Sequence, residues 1–180
     1  VDVEAAVDVV QLRKLDGIVQ RHHDVKMRIL GQLLTFREIT PQQLNDVEGE
    51  IGYRLVFYPA NHALGQQIVA ALRAEGIAAG TRGASTRPDW HIYRDMFPIV
   101  LKTGTMPADH PFDLAEYQER DGHVEYGKGQ CPVADDLFNR SVNIPLNQWY
   151  SAEDCDNIAA GINKVLAAYC TADASGPAWL

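Results

Sequence analysis

The 180-residue chain has only three cysteines, Cys131, Cys155 and Cys170. They are too few and too widely spaced for a disulfide framework or a paired-cysteine metal knuckle, so a reducing, cytoplasmic setting is the expected one. Long hydrophobic runs are missing as well. No apolar stretch approaches the roughly 20 residues that span a bilayer, and no signal peptide is visible. Basic residues are the minority, 16 Lys and Arg against 24 Asp and Glu for a net charge of -8, and they are scattered among the acids. A nucleic-acid face needs a concentrated positive stripe, so neither nucleic acid nor membrane is an expected partner. The HExxH-like or paired-ligand spacing of a metal-dependent hydrolase is also lacking. What is present, 46% hydrophobic and 22% charged residues, is the composition of an ordinary globular protein.

The chain opens Val1-Asp2-Val3-Glu4 without a methionine and enters helical periodicity at once, which suggests a cut inside a longer protein. Apolar residues recur at helical spacing from Asp2 to Leu34, predicting one long helix that breaks near Gly17 or Gly31. Thr40-Pro41 reads as an N-cap with proline at the first helical position, opening a short helix through Asp46. Tyr53 to Tyr58 is aromatic and β-branched, ends at Pro59, and predicts a strand. Asn61 caps the next helix, which faces inward through Leu64, Ile68, Val69 and Leu72, and Gly76 supplies its left-handed end.

Ile77–Ala79, Phe97–Leu101 and Val142–Leu146 are three further strand candidates. Residues 102–141 are acidic, irregular and rich in proline and glycine, a length of loop that calls for a functional reason. Ser151 and Asp154 form a capping-box pattern ahead of an amphipathic helix carrying Ile158, Ile162, Val165, Leu166 and Tyr169. The tail after Thr171 reads as loose. The expected organisation is a long interdomain helix over 1–35, a small domain over 36–171 and a tail over 172–180. The fold class is α+β: a small, mostly antiparallel sheet with helices packed on one face, preceded by a long helix.

The order of these elements and their local residues resembles the C-terminal part of the DegT/StrS-type sugar aminotransferases, a fold-type-I family that uses pyridoxal phosphate (PLP). Val3-Glu4-Ala5-Ala6 with Gln11-Leu12, Lys14-Leu15 and Asp16 resembles the family's "E-x-Q-A-A…Q-L-x-K-L-D" helix, although its first glutamine is absent. Leu72 with Gly76-Ile77 matches the family's "L-x-x-x-G-I" step, and Cys131-Pro132-Val133-Ala134 with Val142 to Leu146 resembles its "C-P-x-A" and "L-P" run. Ser151-Ala152-Glu153-Asp154 matches the opening of the family's last helix. The resemblance runs in consistent order over about residues 2–168.

The resemblance implies that the parent protein is a PLP-dependent transaminase and a homodimer. It would move an amino group from glutamate or glutamine to a keto-sugar or keto-cyclitol. The family's PLP-holding lysine lies upstream of the helix that opens this chain, so these 180 residues alone are expected to bind no PLP and to be inactive. Lys102, before Gly104, is the tempting substitute, but its context does not resemble the family's lysine motif, and the plain reading is a solvated strand end.

In the family, a histidine-bearing segment near the substrate falls at Trp90 to Tyr93. It makes His91 a substrate-binding candidate, with a partly buried histidine beside Trp90 as the plain alternative. Tyr93 shares that face if the segment is extended; otherwise it packs in the core. Arg82 and Arg87 are candidate clamps for the amino donor's carboxylate, or solvated loop residues. His22-His23 point about 100° apart on a helix and read as surface histidines, and Cys131 as structural. The competing function is a non-catalytic α+β interaction or regulatory module derived from such an enzyme. A bare first helix predicts self-association.

Overall fold

The computed structural model describes residues 2–82, 88–103, 111–120 and 123–180. Its contacts divide the chain into two compact units, residues 1–84 with 139–180, and residues 85–138.

The first unit is built on a four-stranded sheet of β1 (Ile39–Pro41), β2 (Arg54–Pro59), β3 (Gly80–Thr81) and β4 (Val142–Pro145), in the order β1-β2-β4-β3. Every neighbouring pair is antiparallel, with Thr40 opposite Tyr58, Leu55 opposite Ile144 and Thr81 opposite Val142. Alternation along β2 buries Leu55, Phe57 and Pro59 and turns Arg54, Val56 and Tyr58 the other way. That buried face meets α3 (His62–Ala74) through Ile68, Val69 and Leu72, and α7 (Ala152–Tyr169) through Cys155, Ala159, Ile162, Val165 and Leu166. The second half of α2 (Leu15–Leu30) adds Val25, Ile29 and Leu30 to the same core. This is the α+β architecture of a small antiparallel sheet with helices on one face.

Local sequence explains the helix ends. Asn61 accepts from the Leu64 N–H at 3.0 Å, and Ser151 and Asp154 close a reciprocal capping box on α7. Gly76, at φ +82°, ends α3 in the left-handed geometry that lets the Ile77 N–H reach the Leu72 carbonyl at 2.9 Å.

Five sequence expectations need correction. The long helix is two helices, α1 (Asp2–Leu12) and α2, broken at Arg13-Lys14, where the Lys14 N–H turns back to the Gln11 carbonyl instead of continuing the α pattern. Gly17 is accommodated inside α2, and Gly31 stands at its C-terminal end. Thr40-Pro41 opens no helix. It lies in the edge strand β1, where pairing with β2 outweighs local cap chemistry and where proline's missing N–H costs no ladder bond in the interior. The strand expected at Ile77–Ala79 falls later, at β3. Phe97–Leu101 is the short helix α4 (Phe97–Val100). Its end has the same hydrogen-bond pattern as α3, with Thr103 N–H on the Pro98 carbonyl and Lys102 at φ 51° in the place Gly76 takes.

The tail is not loose. Ala172 bridges to Phe36, the Asp173 N–H reaches the Thr35 carbonyl at 3.0 Å, and Trp179 is buried edge-on against Phe57. Its indole N–H donates to the Leu34 carbonyl at 2.9 Å. The irregular acidic stretch carries α5 (Ala115–Arg120) and all of α6 (Pro132–Arg140).

Candidate functional site

In the unit formed by residues 85–138, the segment around His91 is not extended. The Ile92 N–H bonds back to the Asp89 carbonyl at 2.8 Å, and a 3-10 turn follows over Tyr93–Asp95. This turn separates the roles of His91 and Tyr93.

Asp89 accepts from both the backbone N–H of His91, at 3.0 Å, and its ring Nδ1, at 2.9 Å. A carboxylate can only accept, so Nδ1 carries the proton and Nε2 faces solvent on a side chain that is 96% exposed. Such an anchored imidazole can accept a hydrogen bond or a proton at Nε2. It is not the partly buried histidine of the plain alternative.

Tyr93 turns to α6 instead. Its hydroxyl donates to Asp135 at 2.7 Å and accepts from the backbone N–H groups of Gly129, at 3.2 Å, and Cys131, at 3.3 Å. Asp135 also accepts from the Gly129 N–H at 2.8 Å and from Arg94 at 3.1 Å. The Tyr93 hydroxyl first, then the Gly129 N–H and Arg94, hold the Asp135 carboxyl below the usual carboxylate range against the opposing effect of burial. Asp135 and Arg94 were not singled out from sequence. An acid in the first turn of a helix was the available signal, and it reads as dipole compensation before tertiary partners are known. Cys131 is exposed, not buried structural sulfur.

Arg82 belongs to the other unit, where it is half-buried. Arg87 lies outside the described residues. His22 and His23 are half-buried rather than on the surface: His23 Nδ1 contacts the Glu50 carbonyl at 2.8 Å, and His22 Nδ1 is buried without a hydrogen-bond partner. Gly52, at φ +85°, packs directly on this stretch of α2, where an added Cβ would run into the His22 carbonyl. Among the described residues no three His, Cys, Asp or Glu side chains gather as a metal site would require.

The first unit also holds an open groove of about 500 Å³ between α7 and the end of α3. Its floor is apolar, with Ile77 set against Gly161, and its rim carries Tyr150, Asn157 and a Lys164–Glu75 ion pair at 2.8 Å.

A covalent PLP site needs a lysine amine facing a cavity, an acid for the ring nitrogen and donors for the phosphate. The five lysines do not meet this. Lys26 is buried and committed to Glu50 at 2.7 Å, and Lys102 closes α4 with its amine over the Tyr117 ring. Lys14 and Lys128 are exposed. Lys164 lines the groove, but its amine is held by both Glu75 oxygens, and no Arg, Ser or Thr lines the groove to meet a phosphate. The described residues do not fit a covalent PLP site.

The described residues form an α+β fold in which none of the five lysines is set up as a covalent PLP site. No protein-family model matches the chain, and no curated protein matches it in sequence. Solved structures do match. Spr1654 from Streptococcus pneumoniae, described as a sugar aminotransferase, superposes in its apo form with a TM-score of 0.58 at 20% identity over 93% of this chain. Its PLP form gives 0.58 at 19% identity over 94%. The aminotransferase TlmJ from Streptoalloteichus hindustanus gives 0.60 at 18% identity over 93%. This chain spans 35%, 36% and 37% of those chains, about a third of their length. Its fold is that of part of a sugar aminotransferase.

Proposed function

We propose that the chain is the C-terminal portion of a PLP-dependent aminotransferase of the DegT/StrS type. The observation that carries this reading is the fold shared with Spr1654 and TlmJ over 93% of the chain, although the sequences have diverged to about 20% identity. The residue patterns at Leu72 to Ile77, Cys131 to Ala134 and Ser151 to Asp154 support it independently.

In this reading the parent enzyme is a cytoplasmic homodimer that takes its amino group from glutamate or glutamine and passes it to a keto-sugar or keto-cyclitol. PLP supplies the electron sink for that transfer when bound, and it is held by residues outside these 180. This chain shapes the acceptor pocket. His91, anchored at Nδ1 by Asp89, accepts a hydrogen bond from a sugar hydroxyl at Nε2; Tyr93 fixes the turn that presents it; Arg82 and Arg87 are the candidate clamps for a donor carboxylate.

A second reading, a non-catalytic interaction or regulatory module derived from such an enzyme, is favoured by the commitment of Lys26 and Lys164 to carboxylates.

The first test is the visible spectrum of the purified chain mixed with PLP. The expected result is free PLP only. A stable band of lysine-bound PLP that disappears in Lys102→Ala would overturn the placement of the catalytic lysine elsewhere. The second test is the reading frame upstream. A large domain with a strand-end lysine followed by Gly-rich sequence supports the enzyme part, and its absence leaves the module.

A further inference from the structure

Residues 171–180 form no helix or strand, and Trp179 is their one buried side chain. The helix α7, which precedes them, buries five. The segment is nevertheless tied down along residues 34–38. Ala172 pairs antiparallel with Phe36: the Arg37 N–H donates to the Thr171 carbonyl and the Asp173 N–H to the Thr35 carbonyl, each at 3.0 Å. An extended peptide docks on an exposed edge in this way, with main-chain bonds as the hold and a side chain as the anchor.

A turn then redirects the chain. The Ser175 N–H donates to the Asp173 carboxylate at 2.9 Å and the Gly176 N–H to the Asp173 carbonyl at 3.0 Å. Gly176 lies so close that an added Cβ would stand 3.1 Å from that carbonyl and 3.5 Å from Cβ of Thr35. Trp179, seven residues beyond Ala172, is thereby seated edge-on to Phe57, 5.7 Å between ring centroids, with its indole N–H on the Leu34 carbonyl at 2.9 Å. The seat is not filled completely. A cavity of about 10 Å³ remains beside the indole, bounded by Lys26, Leu30, Leu44 and Leu55, room for about one water.

We propose that residues 34–38 and the seat beside Phe57 form a peptide-binding site, occupied in cis by residues 171–179 acting as a detachable strap. A segment held by a few main-chain bonds and one anchor opens by itself, at a lower cost than the sheet and helices behind it. The site recognises an extended segment that carries a tryptophan seven residues after the bridging position. While the strap is seated, its high effective concentration keeps other segments out. Once it opens, the same site takes a tryptophan-bearing segment supplied in trans. The proposal rests on the tail alone and stands apart from the aminotransferase reading.

Hydrogen exchange of the unmodified 180-residue chain is the first test. Protection of the Asp173 amide and the Trp179 indole N–H is expected to be at least about tenfold lower than that of the amides paired between β2 and β4. Equal protection would make Trp179 an ordinary part of the core and overturn the strap. The second test is fluorescence anisotropy of a labelled synthetic peptide of residues 171–180 with the full-length Trp179→Ala variant. The variant is expected to bind this peptide at least about tenfold more tightly than a peptide carrying the same Trp179→Ala change. The unmodified chain, whose site is filled, should bind it at least about tenfold more weakly than the variant does. Equal binding of the two peptides, no binding by the folded variant, or a variant that fails to fold would each overturn the proposal.

Discussion

Gly161 stands inside the 18-residue helix α7, where glycine costs about 1 kcal/mol relative to alanine. Its position is explained by the opposite wall of the groove: a Cβ there would lie 2.7 Å from Cδ1 of Ile77. Helix propensity and packing therefore oppose each other at one site, and the packing partner is the end of a flexible side chain. Gly161→Ala in an Ile77→Val background should stabilise the fold by roughly 0.5–1 kcal/mol in urea denaturation, relative to Ile77→Val alone. In the unmodified chain the same change should give little or no gain. Equal gains in both backgrounds would remove Ile77 as the reason for the glycine. At this scale the sequence was legible where one residue type has one local use, as with Asn61, Gly76, Ser151 and Asp154. Asp135 and Arg94 were not legible, because Asp135 takes its meaning from Tyr93 and Arg94, some 40 residues away in sequence.

The C-terminal tail shows how an element can be held by a few polar contacts. Glu38 accepts from the Thr171 backbone N–H at 2.8 Å and from Arg37 at 2.8 Å. The Thr171 N–H first, and then Arg37, lower its carboxyl from the usual 4.5 to about 2. Because the folded value is depressed, the stabilisation is complete above pH 4.5 and is lost as pH falls from there toward 2. Trp179 fluorescence should therefore report release of the tail across that acid range. Glu38→Gln should show a weaker pH dependence between those limits than the unmodified chain, and identical acid profiles would rule Glu38 out as the anchor. The strand β2 and the helices α3 and α7 were legible as elements because their periods of two and 3.6 run over several residues. α4 was not, since Phe97 to Leu101 is too short to show a period, and a short apolar run reads as readily as a strand. β1 was misread because a threonine before proline is a good helix start until a strand is available beside it.

For the whole molecule, thiol chemistry offers a readout of the fold. Cys131 is exposed, Cys155 is buried, and burial pushes the Cys170 thiol up to about 11, with Glu38 adding to the effect. Burial likewise raises the Cys155 thiol. A thiol-specific dye should titrate one cysteine quickly in the native chain and all three only after unfolding. Fast reaction of two or three under native conditions would contradict the packing of α7. By itself, the sequence determined the helices with full amphipathic periods, the central strand, the α+β class and the ordered residue patterns that resemble an aminotransferase, because these depend on neighbours along the chain. Only the tertiary structure decided that the first helix is two, that the tail is pinned by Trp179 and Glu38, and that His91 and Tyr93 part company at a turn. The last two outcomes depend on groups distant in sequence, whose contacts outweigh local preferences of about 1 kcal/mol or less.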